Sequence, residues 1–268
     1  MSDNPAVQPA FDLDKGESVS LNNGSAVNLL SEAISLPAAI IYQSRLDNNI
    51  QWMRQFAASR GVQLAPHGKT TMTPAFFRRQ RDAGAWGLTV ATAHQASAAY
   101  RAGIGRVLMA NQLVGRGNMA LVASMLANPS FEFYCLVDSV ANVAQLGRFF
   151  AERGVTLKVL IEIGVNGGRC GCRTQEQVDT LSAAIAREPN LALMGIETYE
   201  GVIGGAGAPE KIREHLLKVR NIAEQLMQRG QFASDKAILT GAGSAWYDIV
   251  CEVFAEADSN LFVPVIRP

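Results

Sequence analysis

The chain has 268 residues, 24 Lys and Arg against 24 Asp and Glu, and 48% hydrophobic residues. Balanced charge leaves no broad field to hold a phosphate backbone or an anionic lipid surface, which argues against nucleic-acid and membrane partners and for a small molecule. No apolar run approaches the ~20 residues a bilayer crossing needs, the polar, acidic start lacks the order of an export signal, and four cysteines suit a reduced cytoplasmic protein.

Residues 1–30 are rich in Asn, Ser, Asp and Gly, carry Pro5 and Pro9, and show no sustained periodicity, so an N-terminal arm is expected over 1–35. The 36–42 segment reads as a strand. Residues 45–59 place Leu46, Ile50, Met53 and Phe56 at helical spacings. Eight short apolar runs then read as buried strands, at 62–66, 86–90, 105–109, 131–137, 155–163, 191–197, 236–240 and 261–265. Helical patterning fills 74–83, 93–102, 116–127, 139–152, 174–187, 209–229 and 246–254, and Gly84, Gly103, Gly154 and Gly230 stand just past four of these stretches, where helices end. Parallel strands each need a crossover, and eight βα units in about 200 residues predict an α/β fold, a closed (β/α)8 TIM-type barrel over 36–268 with its site at the C-terminal strand ends. An open doubly wound sheet is the alternative. The 36–42 strand precedes the eight and is an orphan that could pair with a further domain. The last strand ends the chain, so truncation before a second domain is expected.

On this reading the residues just past each strand share one rim. They are His67, Gly68 and Lys69; Thr92 and His94; Asn111 and Gln112; Asn166 and Arg169; Tyr199 and Glu200; and Gly241, Ala242, Gly243 and Ser244. Gly68-Lys69-Thr70 resembles the end of a phosphate-binding loop, but the first glycine of that motif would be Gln63, and Pro66 and His67 interrupt the loop, so that reading fails. A lysine at a barrel mouth has another use, because partial desolvation leaves a neutral amine able to attack an aldehyde. The Gly241–Ser244 turn, between a strand and a helical start, aims backbone N–H groups at an anion where barrels habitually hold phosphate. A rim lysine with such a turn suits one ligand bearing both an aldehyde and a phosphate, as pyridoxal 5′-phosphate does. Cys135 and Cys251 sit in apolar segments and read as small buried residues. Cys170 and Cys172 form C-x-C with no second pair or nearby His, so no metal site is assigned.

The stretches L-A-P-H-G-K-T-T-M-T-P at 64–74, E-I-G-V-N-G-G-R-C-G at 162–171, E-T-Y-E-G at 197–201 and T-G-A-G-S at 240–244 together resemble the D-threonine aldolase and D-serine dehydratase group of alanine-racemase-like, fold type III pyridoxal-phosphate enzymes, nearest the bacterial amino acid deaminases. The resemblance implies a lyase that takes a D-β-hydroxy amino acid such as D-serine or D-threonine through a Schiff base on Lys69. Deamination is favoured over the alternative, retro-aldol cleavage. It implies that Lys69 shuttles the α-proton, that Arg169 lies near the ring oxygen O3′, that Tyr199 lies by the ring and its nitrogen, that Gly241, Ala242, Gly243 and Ser244 cup the phosphate, and that His67 supports the lysine or the cofactor. It further implies a homodimer, and a β-rich second domain whose His and Cys bind a divalent metal, zinc or manganese, which this chain would lack. Val202 and Ile203 stand where family members commonly carry a His after the Tyr-x-Gly element. Two other readings remain: a cofactor-binding polypeptide without turnover, and a Schiff-base aldolase that uses Lys69 without the cofactor.

Overall fold

The computed structural model describes Asn28, Leu30 and residues 36–268, so nearly all of the expected arm lies outside the described residues. In chain order the elements are α1 (Gln43–Ser59), β1 (Gln63–Leu64), α2 (Pro74–Asp82), β2 (Leu88–Val90), α3 (Ala93–Arg101), β3 (Arg106–Gln112), α4 (Arg116–Leu126), β4 (Glu132–Val137), α5 (Val140–Ala151), β5 (Leu157–Ile163), α6 (Gln175–Ala186), β6 (Leu191–Thr198), α7 (Ala208–Gln228), β7 (Ala237–Gly241), α8 (Tyr247–Phe254) and β8 (Phe262–Ile266). All eight expected strands form, and every ladder is parallel, in the order β1-β8-β7-β6-β5-β4-β3-β2.

The β1–β2 seam closes the curled sheet without a ladder. It rests on a single bridge, His67 to Thr89, and on main-chain bonds from Trp86 to Leu64, Thr89 to Pro66 and Gly68 to Thr89. The four glycines past the helices all adopt positive φ, +92° at Gly84, +83° at Gly103, +62° at Gly154 and +64° at Gly230, the left-handed conformation that ends a helix without a β-carbon clash.

Strand side chains alternate between two cores. One face packs outward on the helices through Val107, Met109, Val159, Ile161, Ile196 and Leu239. The other fills the barrel with Ala65, Leu108, Tyr134, Leu136, Leu160, Ile238 and Val265. A period of two residues then carries each inner series up to the rim, where the chemistry changes: Ala65 to His67, Leu136 to Asp138, Leu160 to Glu162, Ile238 to Thr240, Val265 to Arg267. An apolar plug thus sits beneath a polar layer. At the opposite end Glu132 accepts from Arg106 Nε and Lys158 Nζ, both at 2.5 Å, and these pairings hold its carboxyl below the usual range against the cost of burial.

The expected strand at 36–42 is not one. Its β-branched and aromatic residues suit a strand, but among the described residues no strand lies beside it to pair with. Leu36, Ile40, Ile41 and Tyr42 are all exposed. Cys135 and Cys251 are buried free thiols, as expected.

Candidate active site at the barrel mouth

The rim gathers the residues that sequence reasoning singled out, though not each in the expected state. Lys69 follows β1 and is exposed, so the partial desolvation expected of it is absent in this chain. Its neighbour His67 carries the burial instead. Burial, and then the charges of Arg267 and Lys69, push the imidazole down to about 3, so it is neutral, and its Nδ1 is buried without a partner. Thr92 is absorbed structurally, its hydroxyl capping α3 by accepting from the Gln95 N–H. His94 is exposed on that helix.

Arg169, in the loop after β5, sets its guanidinium 5.5 Å from the centroid of the Tyr199 ring, a cation over a π face. Tyr199 follows β6 and leans on the β7–α8 turn: a β-carbon at residue 243 would meet its Cε2 at 2.8 Å and one at residue 201 its Cζ at 2.6 Å, so both glycines are there to let the ring in. The structure therefore brings Arg169, Tyr199 and Gly243 together. In the Gly241–Ser244 turn, Gly241 ends β7 and Ala242 takes φ +86°, a left-handed conformation that a non-glycine residue holds only under constraint. The constraint is Glu200. Fully buried at the start of a single 3-10 turn, it accepts from the Ala242 N–H at 3.0 Å and the Gly243 N–H at 2.8 Å. Two of the amides expected to face a phosphate are thus taken. Those of Ser244 and Ala245 donate to no acceptor among the described residues.

Beneath these lies a charged layer that sequence reasoning missed. Arg267 is 2% exposed and donates through Nε to Thr240 Oγ1 at 3.0 Å, through Nη2 to the Thr198 carbonyl at 3.2 Å, and to Glu197 Oε1. Burial pushes the Glu197 carboxyl up to about 7 even though Arg267 pulls it down, and its Oε2 has no partner. Glu162, in register with Glu197, is also raised by burial, and accepts from Gln112 Nε2 at 2.7 Å. The signal was there to read: a carboxylate inside the otherwise apolar runs of β5 and β6 is costly unless it lines a site.

Asp138, Glu162 and Cys170 bring ligand atoms within 4.8 Å of one another, a set able to approach a divalent ion. Cys172, the other half of C-x-C, turns away into the outer core, so the pair does not act as one chelate. For a phosphorylated aldehyde the donor set fits: an exposed amine at Lys69, a cation at Arg169, a ring face at Tyr199, and open amides at Ser244 and Ala245.

The alanine racemase N-terminal domain family matches residues 41–248. The chain is 26% identical over 232 residues to D-threonine aldolase of Arthrobacter sp., covering 85% of this chain and 61% of that protein. It is 31% identical over 183 residues to D-threo-3-hydroxyaspartate dehydratase of Delftia sp. (strain HT23), covering 67% and 47%. Among solved structures, D-threonine aldolase from Filomicrobium marinum superposes with a TM-score of 0.73 at 25% identity, over 87% of this chain and 62% of that one. Diaminopimelate decarboxylase from Helicobacter pylori, at 13% identity, 85% and 62% coverage and a TM-score of 0.67, shares the fold alone. The chain spans about half the length of the curated relatives it matches, from 43% to 61%. A family match that spans more than three quarters of the sequence, on an eight-stranded parallel sheet of the same architecture, means that this chain belongs to the alanine racemase N-terminal domain family of fold type III pyridoxal-phosphate proteins, close to the D-threonine aldolases and D-threo-hydroxyaspartate dehydratases.

Proposed function

We propose that this chain is the cofactor-holding barrel of a pyridoxal-phosphate lyase that deaminates D-β-hydroxy amino acids. The observation that carries the reading is the convergence on one rim of an amine, a cation over an aromatic ring, and a turn with open amides. When bound, the cofactor supplies an electron sink for negative charge at the substrate Cα. The chain's own residues do the rest. Lys69 Nζ would hold the cofactor by its aldehyde and would move the substrate α-proton. Arg169 would lie near the ring oxygen and favour its anionic form, and Tyr199 would lie by the ring and its nitrogen. Ser244 and Ala245 bind the phosphate through main-chain N–H groups. The apolar plug of Leu108, Leu136, Leu160, Ile238 and Val265 keeps water from entering through the barrel floor.

Loss of the β-hydroxyl and cleavage of Cα–Cβ begin with the same binding, and relatives of both kinds share this barrel, the dehydratase of Delftia and the aldolase of Arthrobacter. In the deaminating version a divalent metal, zinc or manganese, would polarise the β-hydroxyl. Its ligands in this reading come from a second domain, and two subunits pair so that one subunit's second domain closes the other's rim.

The test is to add pyridoxal 5′-phosphate to the purified chain, record its visible absorption, reduce with borohydride and map the modified peptide. A pyridoxyl adduct on Lys69, absent in Lys69→Ala, supports the reading. A sugar phosphate trapped on Lys69 with no cofactor binding would support the cofactor-independent aldolase. Adduct formation on scattered surface lysines alone would sink both.

A further inference from the structure

We propose that Glu200 is a positioning residue of the phosphate cup: its carboxylate fastens the amides of Ala242 and Gly243 from behind, so that the anion is received one step further along the chain, by Ser244 and Ala245. The inference rests on the pyridoxal-phosphate reading of this rim and deepens it.

Three observations point the same way. Glu200 spends both carboxylate oxygens on the turn, Oε2 on the Ala242 N–H and Oε1 on the Gly243 N–H, at 3.0 and 2.8 Å. Ala242 has φ +86°, and a residue with a β-carbon stays in that conformation only where its surroundings over-determine it. The residue before Glu200 is Tyr199, whose ring lies against Gly243. Consecutive residues after β6 therefore meet at the turn after β7, Tyr199 with its ring against Gly243 and Glu200 with its carboxylate on the Ala242 and Gly243 amides.

A carboxylate on anion-binding amides invites the opposite reading, that Glu200 plugs the cup and must leave before phosphate can enter. Burial decides between them. Glu200 has no exposed surface, and a side chain that vacated its place on each binding event would need a path to water. Its departure would also release the constraint that holds Ala242 at positive φ. The clamp is permanent, and phosphate uses the amides it leaves open.

The experiment compares pyridoxal 5′-phosphate with pyridoxal, which carries the same aldehyde and no phosphate, in the parent chain and in Glu200→Gln. Binding is read by absorption and by borohydride trapping on Lys69. Glu200→Gln keeps one acceptor oxygen where two are needed. The expected result is at least a tenfold fall in the preference for the phosphorylated aldehyde over pyridoxal. A parental preference in folded Glu200→Gln overturns the proposal, and a tighter grip on the phosphorylated form would show Glu200 to be a plug. Should the variant not fold, inorganic phosphate titrated into the isotope-labelled parent chain settles the matter. The largest amide shifts are expected at Ser244 and Ala245, and largest shifts at Ala242 and Gly243 overturn the proposal. Failure of both aldehydes to reach Lys69 in the parent would sink the functional reading, and this proposal with it. Trapping with no phosphate preference in the parent overturns the cup alone.

Discussion

Gly243 and Tyr199 are in contact so close that residue 243 has no room for a side chain: a β-carbon there would lie 2.8 Å from Cε2 of the ring. The ring is 36% exposed and can tilt aside, so Gly243→Ala is expected to cost little stability, under about 1 kcal/mol, while moving Tyr199 off its seat. Cofactor affinity should fall about tenfold, which corresponds to roughly 1.4 kcal/mol. Titration of the absorbance of bound pyridoxal 5′-phosphate checks this, and unchanged affinity would detach Tyr199 from the binding site.

Gly195 presents the contrasting case, in which the obstacle is backbone. The β5–β6 register shifts after Val159, and a β-carbon at Gly195 would lie 2.0 Å from the Ile238 carbonyl oxygen on β7. A main-chain neighbour inside a ladder cannot rotate away. Gly195→Ala is expected to destabilise the barrel by about 3 kcal/mol or more, measured by urea unfolding. A change below about 1 kcal/mol would show that the sheet can spread there.

Arg267 and Glu197 form a pair, each 2% exposed or less, that is costly to break from one side. Arg267→Met should cost roughly 3–5 kcal/mol by leaving a buried carboxylate alone, and Arg267→Met with Glu197→Leu should recover most of it. Because the Glu197 carboxyl is already pushed up to about 7, it can escape by taking a proton, so the single variant's penalty should be smaller at pH 5 than at pH 8. A penalty independent of pH would argue against that protonation.

The acid side of the stability profile should carry two histidines. Burial holds His67 down at about 3 and His215 at about 4, against 6.5 for the free side chain, and His215 donates or accepts at Thr198 Oγ1 over 2.7 Å. Below pH 6.5 the unfolded chain binds protons that the folded one refuses. Their contribution is therefore fully present above 6.5 and is lost as pH falls, by roughly 2 kcal/mol each at pH 5. Glu197 works the other way between 4.5 and about 7, so the difference between parent and variant is the informative quantity. His215→Gln should flatten the slope between pH 6.5 and about 4; an unchanged slope would mean His215 titrates normally.

Strands and helices were legible because the chain is locally consistent. Each strand is a short apolar run, and Gly84, Gly103, Gly154 and Gly230 mark helix ends by a conformation that other residues avoid. The 36–42 segment misled because strand character is a property of a pair, and among the described residues no strand lies beside it. Lys69, Arg169, Tyr199 and the 241–244 turn were legible as motifs on strand ends. The Glu200 clamp was not, because it joins residues 42 positions apart through a side chain and two amides. Nor was the role of Arg267, which depends on strand register that no local pattern encodes.

The β1–β8 ladder gives Lys69 an unusual history. The strand before it is only two residues long and pairs as a ladder with β8 alone, Gln63 with Val265 and Leu64 with Ile266, while His67 donates to the Pro268 carbonyl. The strand that leads to the lysine is thus paired by residues synthesised about 200 positions later. During vectorial synthesis β1 has no ladder partner until residues 262–266 emerge to pair with it, a loop closure among the longest this fold requires. A cofactor that bridges Lys69 and the β7–α8 turn would act as a staple across that late joint, so loading and ring closure should be thermodynamically coupled, each making the other more favourable.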